Sequence, residues 1–212
     1  IWSDTRAINE ADQFFSQISY EEWYLKTGNG FPRECYTVFK LMWMKKNQPE
    51  VYKRIYKVLG SKDFINYLFT GNIYTDHSYA SGTGVYNLVK NDYCDEFIEA
   101  AGLSKDIFPE IINSNSKVGR VNRTAALESG LKEGTLVVCG GVDNSCMALG
   151  ARGLGEGRTY LSLGSSSWIA VTSKKPILDA KRRPYVFTHI DKEYYTSAMS
   201  IFSGGNSFRW VR

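Results

Sequence analysis

The chain has 212 residues, 43% of them hydrophobic and 23% charged, with a formal net charge of +4. That is the balance of a soluble globular protein long enough for one large domain or parts of two, and it excludes disorder, collagen and a disulfide scaffold. No apolar run approaches the roughly 20 residues needed to cross a bilayer, since even the stretch from Phe64 to Phe69 is interrupted by Asn66 and closed by Thr70-Gly71. Nor does the chain open on an initiator Met or a signal-peptide pattern; its start at Ile1 reads as that of a piece of a longer protein.

The first half reads mostly helical. Ile8, Ala11, Phe15 and Ile18 recur at steps of three and four behind Asp4, which predicts one amphipathic helix N-capped by Asp4 and ending before Gly28-Asn29-Gly30. Val38, Lys40, Leu41, Met42 and Trp43 predict a second, shorter helix, broken by Asn47-Gln48-Pro49. Pro49 suits the first turn of a third, whose apolar side is Val51, Ile55, Val58 and Leu59 and which Gly60 closes. Ser61 starts a fourth toward Leu68. The polar stretch from Thr70 to Gly84 is too long for a simple turn and is read as an ordered functional or packing loop. Tyr93 to Ala101 is helical again, with Phe97, Ile98 and Ala101 inward.

Strands follow. Val118 to Val121 and Thr135 to Cys139 are short and rich in β-branched residues. Beyond Arg158, strand-like runs at Thr159–Leu163 and Trp168–Thr172 flank Gly164-Ser165-Ser166-Ser167, and Tyr185–Ile190 with Tyr194–Ala198 predict a second hairpin. A domain change is expected at 153–157, where Gly153, Gly155 and Gly157 cluster, dividing the chain into 1–155 and 156–212.

Four cysteines (Cys35, Cys94, Cys139 and Cys146) without a CxxC pair, and His77 and His189 isolated from each other, offer neither a staple framework nor a metal site, and suggest reduced thiols in a cytoplasm. The sequon at Asn122-Arg123-Thr124 carries weight only in a secreted protein. Lys45-Lys46, Lys174-Lys175 and Lys181-Arg182-Arg183 are too short for a nucleic-acid arm and are read as solvated surface. Neither a nucleic acid nor a membrane is expected as a partner.

Three glycine-bearing turns carry the chemistry. In Thr135 to Gly150 a strand of buried type runs into Gly140-Gly141 and then Asp143-Asn144, where a helix should begin. A carboxylate at such a strand tip is a candidate general base or metal partner, or simply the helix N-cap. Gly164-Ser165-Ser166-Ser167 either presents donors to phosphate oxygens or forms a polar hairpin turn. In Ser203 to Trp210 paired glycines precede a helix start, an anion contact or an ordinary connection. Neither a Walker GxxxxGK[ST] nor a GxGxxG motif occurs, which counts against P-loop and dinucleotide folds.

Several ordered blocks together resemble the FGGY carbohydrate kinases. Trp2-Ser-Asp4-Thr-Arg6 is similar to the family's W-x-D-x-R. Thr37 to Asn47 follows its first signature, and Phe69-Thr70-Gly71 with Thr75-Asp76 and Ala80-Ser81 its LTG…TD-x-S-x-AS stretch. Gly140 to Asn144 resembles GGGDN, Leu161 to Ser166 resembles SLGTS, and Gly204 to Arg212 resembles GGxxLRW(L/F)R.

The resemblance implies an α/β fold of two ribonuclease-H-like (actin-like ATPase) domains with ATP and sugar between them, this chain supplying the end of the first, with its helical subdomain, and the start of the second. It implies Asp143 as the base that takes the sugar hydroxyl proton and Asn144 as a substrate contact. Trp2, Asp4 and Arg6 would edge the sugar pocket, Gly164 and Ser165 line the β and γ phosphates, and Gly205 approach from the second domain. ATP and Mg²⁺ are the implied cofactors, with no metal ligand assigned within these residues, and a homodimer is compatible. Cys35 stands where glycerol enzymes carry a tyrosine, which argues for a larger sugar, a pentulose such as xylulose; Val142 and Ser165 depart from GGGDN and SLGTS. A kinase for another polyol, aldonate or deoxyketose, or a non-catalytic actin-like nucleotide scaffold, are the alternatives. The 212 residues alone are expected to be inactive, because one phosphate loop, the N-terminal sugar-contact block and the adenosine motif lie outside them.

Overall fold

The computed structural model describes residues 4–30, 32–201 and 203–212. The single N-terminal helix predicted from periodicity is two, α1 (Ile8–Phe15) and α2 (Tyr20–Thr27). The break is made by serines that offer the backbone other partners: Ser16 Oγ donates to the Gln13 carbonyl, and Ser19 accepts the Glu22 N–H as the N-cap of α2. Asp4 is not a cap; Ala7 occupies that position in α1. The inward residues of α1 are Ala11 and Phe14 rather than Ile8, which is 48% exposed. Gly28 ends α2 at φ +68°, in the left-handed region, and a Cβ there would lie 2.7 Å from Leu88 and Val186.

Helix α3 (Thr37–Asn47) matches its prediction, with Val38, Phe39, Leu41 and Met42 buried. Pro49 does open α4 (Pro49–Tyr52), but only one turn forms before the chain leaves helical geometry, and Val51 faces solvent. Ile55 and Val58 still pack on the core, as part of an irregular segment. Helix α5 (Ser61–Thr70) starts at the expected serine and ends at Gly71, φ +76°. Within the polar stretch that follows lie a strand, β1 (Tyr74–Asp76), and a one-turn helix, α6 (His77–Ala80), whose N-cap is Asp76. Short strands β2 (Tyr86–Asn87) and β3 (Asp92–Tyr93) pair with each other, so Tyr93 belongs to a strand rather than to α7 (Asp95–Ala100). Phe97 and Ile98 are buried as predicted.

Strand β4 (Glu110–Ile112) runs parallel to β1, and β5 (Lys117–Arg120) is antiparallel to β6 (Leu136–Val138), with α8 (Arg123–Ser129) between them. β6 reads in sequence as a strand of buried type, yet Leu136 is 53% exposed and Val138 46%. Among the described residues β5 is its one hydrogen-bonded neighbour and α5 packs beside it, which leaves an edge open. After α9 (Asp143–Gly150) come β7 (Thr159–Leu163), β8 (Ser167–Ser173), β9 (Tyr185–Thr188) and β10 (Tyr195–Ile201), an antiparallel sheet of order β7-β8-β10-β9, and then α10 (Gly204–Val211).

The core is aromatic. Phe14 meets Phe39 and Phe97 edge-on at ring separations of 5.4 and 6.0 Å, geometry that adds to the energy of burial. The buried Trp23 donates its indole N–H to the Gly84 carbonyl at 2.7 Å. Val186 and Tyr195 of the four-stranded sheet join this core. Tyr24 Oη donates to Pro184 O at 3.0 Å, and Tyr195 Oη to Leu88 O at 2.9 Å. These ties seat the sheet against the helical part, so that the head of α9 faces one side of it.

Candidate active site

Ser162 of β7, Trp168 of β8 and Ser200 of β10 are successive register partners, so their side chains stand on one sheet face. Opposite lie the head of α9 and the segment before α3. Between them is a cavity of about 450 Å³, lined by Asp143, Asn144 and Met147 from α9, by Cys35 and Tyr36, and by Ser162, Ser166, Trp168, Tyr185 and Phe187 from the sheet and its turn.

Asp143 is the first helical residue of α9, one position inside the N-cap, which is Val142. Its Oδ1 accepts the Asn144 N–H at 2.9 Å, and the side chain is otherwise exposed to the cavity. The purely capping alternative therefore fails on position, although a carboxylate in the first turn still complements the helix dipole. Gly140, at φ +73°, turns the chain from β6 toward α9, a conformation other residues reach only with strain.

The turn between β7 and β8 is exposed. The Ser165 and Ser166 side chains make no hydrogen bond within the described residues, so their hydroxyls are available to a ligand. Gly164 and Gly205 are in direct contact: the Gly205 N–H donates to the Gly164 carbonyl at 3.1 Å, and the Asn206 N–H to the Ser165 carbonyl at 3.1 Å. A Cβ on Gly205 would lie 2.1 Å from that carbonyl oxygen. Two of the first N–H groups of α10 are thus engaged by the loop and are not free for an anion.

Asp4 and Arg6 form their own pair, with Arg6 Nε 2.9 Å from the Asp4 carboxylate and the guanidinium 5.0 Å above the Trp43 ring. The Arg6 backbone N–H, then its side chain, hold the Asp4 carboxyl below its usual range. They do not line the cavity, but Asp4 lies close enough to act on Cys35, which does. Burial, then the neighbouring Glu34, push the Cys35 thiol up, so it is a neutral wall residue rather than a nucleophile. Lys40 is pulled down by burial, against the pull of Cys35 and Asp4. Trp2 lies outside the described residues.

Several lining residues carried no functional signal in the sequence, among them Trp168, Tyr185 and Phe187. Tyr160 and Trp168 pack at 6.1 Å between ring centroids, and the Tyr160 hydroxyl and Trp168 indole N–H are buried without a partner. Burial pushes the Tyr160 phenol up to about 12, with the Asp143 charge adding to the rise. The cavity thus sets the Asp143 carboxylate across from the serine hydroxyls of the sheet and its turn.

The N-terminal domain of the FGGY family of carbohydrate kinases matches residues 1–150. The xylulose kinase of Bacillus subtilis (strain 168) is 30% identical across the whole chain, which covers 42% of that protein. The crystal structure of xylulose kinase from Rhodospirillum rubrum superimposes with a TM-score of 0.91 at 27% identity, over 99% of this chain and 42% of that one. Gluconate kinase from Lactobacillus acidophilus superimposes with a TM-score of 0.90 at 24% identity, over 100% of this chain and 42% of that one. The chain therefore spans about two fifths of the length of the relatives it matches.

Proposed function

Because the chain belongs to the FGGY family of carbohydrate kinases, we propose that it supplies the proton acceptor and one wall of the phosphate site to an ATP-dependent sugar kinase of the relatives' full length. Its fold is the actin-like α/β fold of that family. The observation that carries the reading is that Asp143, at the head of α9, lines the same cavity as Ser166 of the β7–β8 turn, next to Gly164 and Ser165.

In this reading Asp143 accepts the proton of the sugar hydroxyl as that oxygen bonds to the γ-phosphorus of ATP and the bond to the β–γ bridging oxygen breaks, leaving sugar phosphate and ADP. Asn144 contacts the sugar beside it, and the Asp4–Arg6 pair, which stands outside the cavity but acts on Cys35 in its wall, would reach the sugar from that side. Gly164 and Ser165 hold β- and γ-phosphate oxygens. Gly205, whose closeness to Gly164 only a residue without a Cβ allows, keeps the turn in place. Magnesium bound with the triphosphate supplies charge neutralisation; among the described residues no group of three His, Cys, Asp or Glu side chains forms a metal cluster. Closure of two domains about the 153–157 segment, with 1–155 on one side and 156–212 on the other, would exclude water from the transfer.

The favoured substrate is a pentulose such as xylulose, supported by the named relatives and by Cys35 on the cavity wall, where a tyrosine would narrow it. The likeness to a gluconate kinase keeps an aldonate as the second candidate. Four free cysteines suit a cytoplasmic enzyme, and no helix among the described residues is long and apolar enough to cross a membrane. Coupled ATP turnover by the full-length protein with a panel of ketoses, polyols and aldonates tests the proposal: a pentulose should give the highest kcat/KM. ATP binding without turnover of any sugar would instead fit a nucleotide-binding scaffold.

A further inference from the structure

We propose that Ser78, oriented by the buried Asp76, is a positioning residue that fixes the turn presenting Asp143. The inference rests on the reading of Asp143 as the base and adds a residue that acts through it. Asp76 is 0% exposed, at the junction of β1 and α6. Its Oδ1 meets Lys62 Nζ at 2.9 Å, and its Oδ2 takes hydrogen bonds from the Ser78 hydroxyl, from the Ser78 N–H at 3.0 Å and from Ser114 Oγ at 2.8 Å. Burial pulls the Lys62 ammonium down, but Asp76 and Asp63 more than offset it, so this cation stays charged.

A serine hydroxyl has one proton, and here the Asp76 carboxylate takes it. The lone pairs of Ser78 Oγ are then left for another donor, and the Val142 N–H occupies them at 2.9 Å. Val142 is the N-cap of α9 and immediately precedes Asp143. Gly141 is pressed into the same contact, since a Cβ there would stand 3.1 Å from Ser78 Oγ and 2.8 Å from Ile190. The other half of the turn is anchored differently: the Gly140 N–H donates to the Ser114 backbone carbonyl at 2.8 Å, and Asn66 Nδ2 to the Cys139 carbonyl at 2.8 Å.

Both serines thus bond Asp76, but only Ser78 reaches the turn with its side chain. That asymmetry separates positioning from general packing. In the full-length enzyme Ser78→Ala should lower kcat about tenfold or more and leave KM for the sugar within about twofold. Ser114→Ala, which removes an equivalent hydroxyl from Asp76, should leave kcat within about twofold. In an Asp143→Asn background Ser78→Ala should cost less than a further twofold, because a residue acting through the carboxylate has nothing left to position. Should Ser78→Ala not accumulate as folded protein, Ser78→Cys, a near-isostere that accepts weakly, takes its place under the same criteria.

The proposal is overturned by a Ser78 variant with kcat within twofold of wild type, by equal losses in the Ser78 and Ser114 variants, or by a loss that persists undiminished in the Asp143→Asn background. An Asp143→Asn enzyme as active as wild type would defeat the base reading itself, and the inference with it. That outcome is distinct from a failure of the Ser78 arm alone.

Discussion

Gly205 offers a perturbation whose size can be worked from the structure. Replacing it by Ala places a Cβ 2.1 Å from the Gly164 carbonyl oxygen and 3.0 Å from its carbon, whereas carbon and oxygen without a hydrogen bond approach to about 3.3 Å. The two backbones must separate by about 1 Å. That movement breaks the Gly205 N–H to Gly164 bond and strains the Asn206 N–H to Ser165 bond, each now 3.1 Å. Two backbone hydrogen bonds are worth about 1–3 kcal/mol together, and Ala in place of a helical Gly returns about 1 kcal/mol, so folding stability should change little. Activity should not escape so lightly if, as proposed, the displaced turn holds the phosphates, since a misplacement of about 1 Å can cost about 10²-fold. The assay is steady-state ATP kinetics of full-length Gly205→Ala beside Gly150→Ala, whose Cβ would meet nothing within 4 Å. We expect kcat/KM for ATP to fall about 10- to 100-fold in the first and to hold within about twofold in the second. Unaltered ATP kinetics in Gly205→Ala would refute the argument that this contact shapes the phosphate turn.

Ser165→Ala should weaken ATP use without abolishing it, by about ten- to a hundredfold in kcat/KM, the loss of one hydroxyl bond to a charged oxygen worth about 1.5–3 kcal/mol; an unchanged value would make the segment a polar hairpin turn. Burial lowers the proton affinity of His189, which is 0% exposed and accepts the Asp191 N–H on Nδ1. The unfolded chain therefore binds this proton more readily than the folded one, and stability falls as pH drops below the unfolded value of about 6.5. His77, lowered by burial and then by Lys192, contributes with the same sign. His189→Asn, which retains an acceptor, should flatten the dependence of Tm on pH between 7 and 5.5; a slope equal to that of wild type would contradict this.

How far the sequence could be read depended on how local the deciding interactions are. The β7–β8 hairpin, α3, α5 and the start of α10 follow from alternation, helical spacing and glycine punctuation within a few residues, and the structure has them where they were predicted. The division of α1 from α2 was missed because the Ser16 and Ser19 hydrogen bonds outweigh an apolar spacing that runs on through Ile18. Strand β6 looked buried because its side chains are apolar, whereas burial depends on which neighbours a strand has. The places of Asp143, Gly164 and Gly205 at a helix start and at turns were legible through turn chemistry. The aromatic wall of Trp168, Tyr185 and Phe187 was not, since it arises when two strands far apart in sequence turn the same face to α9. Ser78 falls within the TD-x-S-x-AS stretch, but its bond to Val142 was hidden for the same reason, that partner lying across the fold.

The central claim, that Asp143 accepts the proton in phosphoryl transfer, is tested most directly by Asp143→Asn in the full-length protein, assayed by coupled ADP release with its best sugar alongside calorimetric sugar binding. Asn preserves shape while removing charge and basicity, and Asp143 stands exposed one position inside the N-cap, so the fold should persist. We expect kcat to fall at least about 10²-fold, the low end for a lost general base, with sugar Kd changed far less. A mutant that turns over within about threefold of wild type, a barrier difference under about 0.7 kcal/mol, would contradict it.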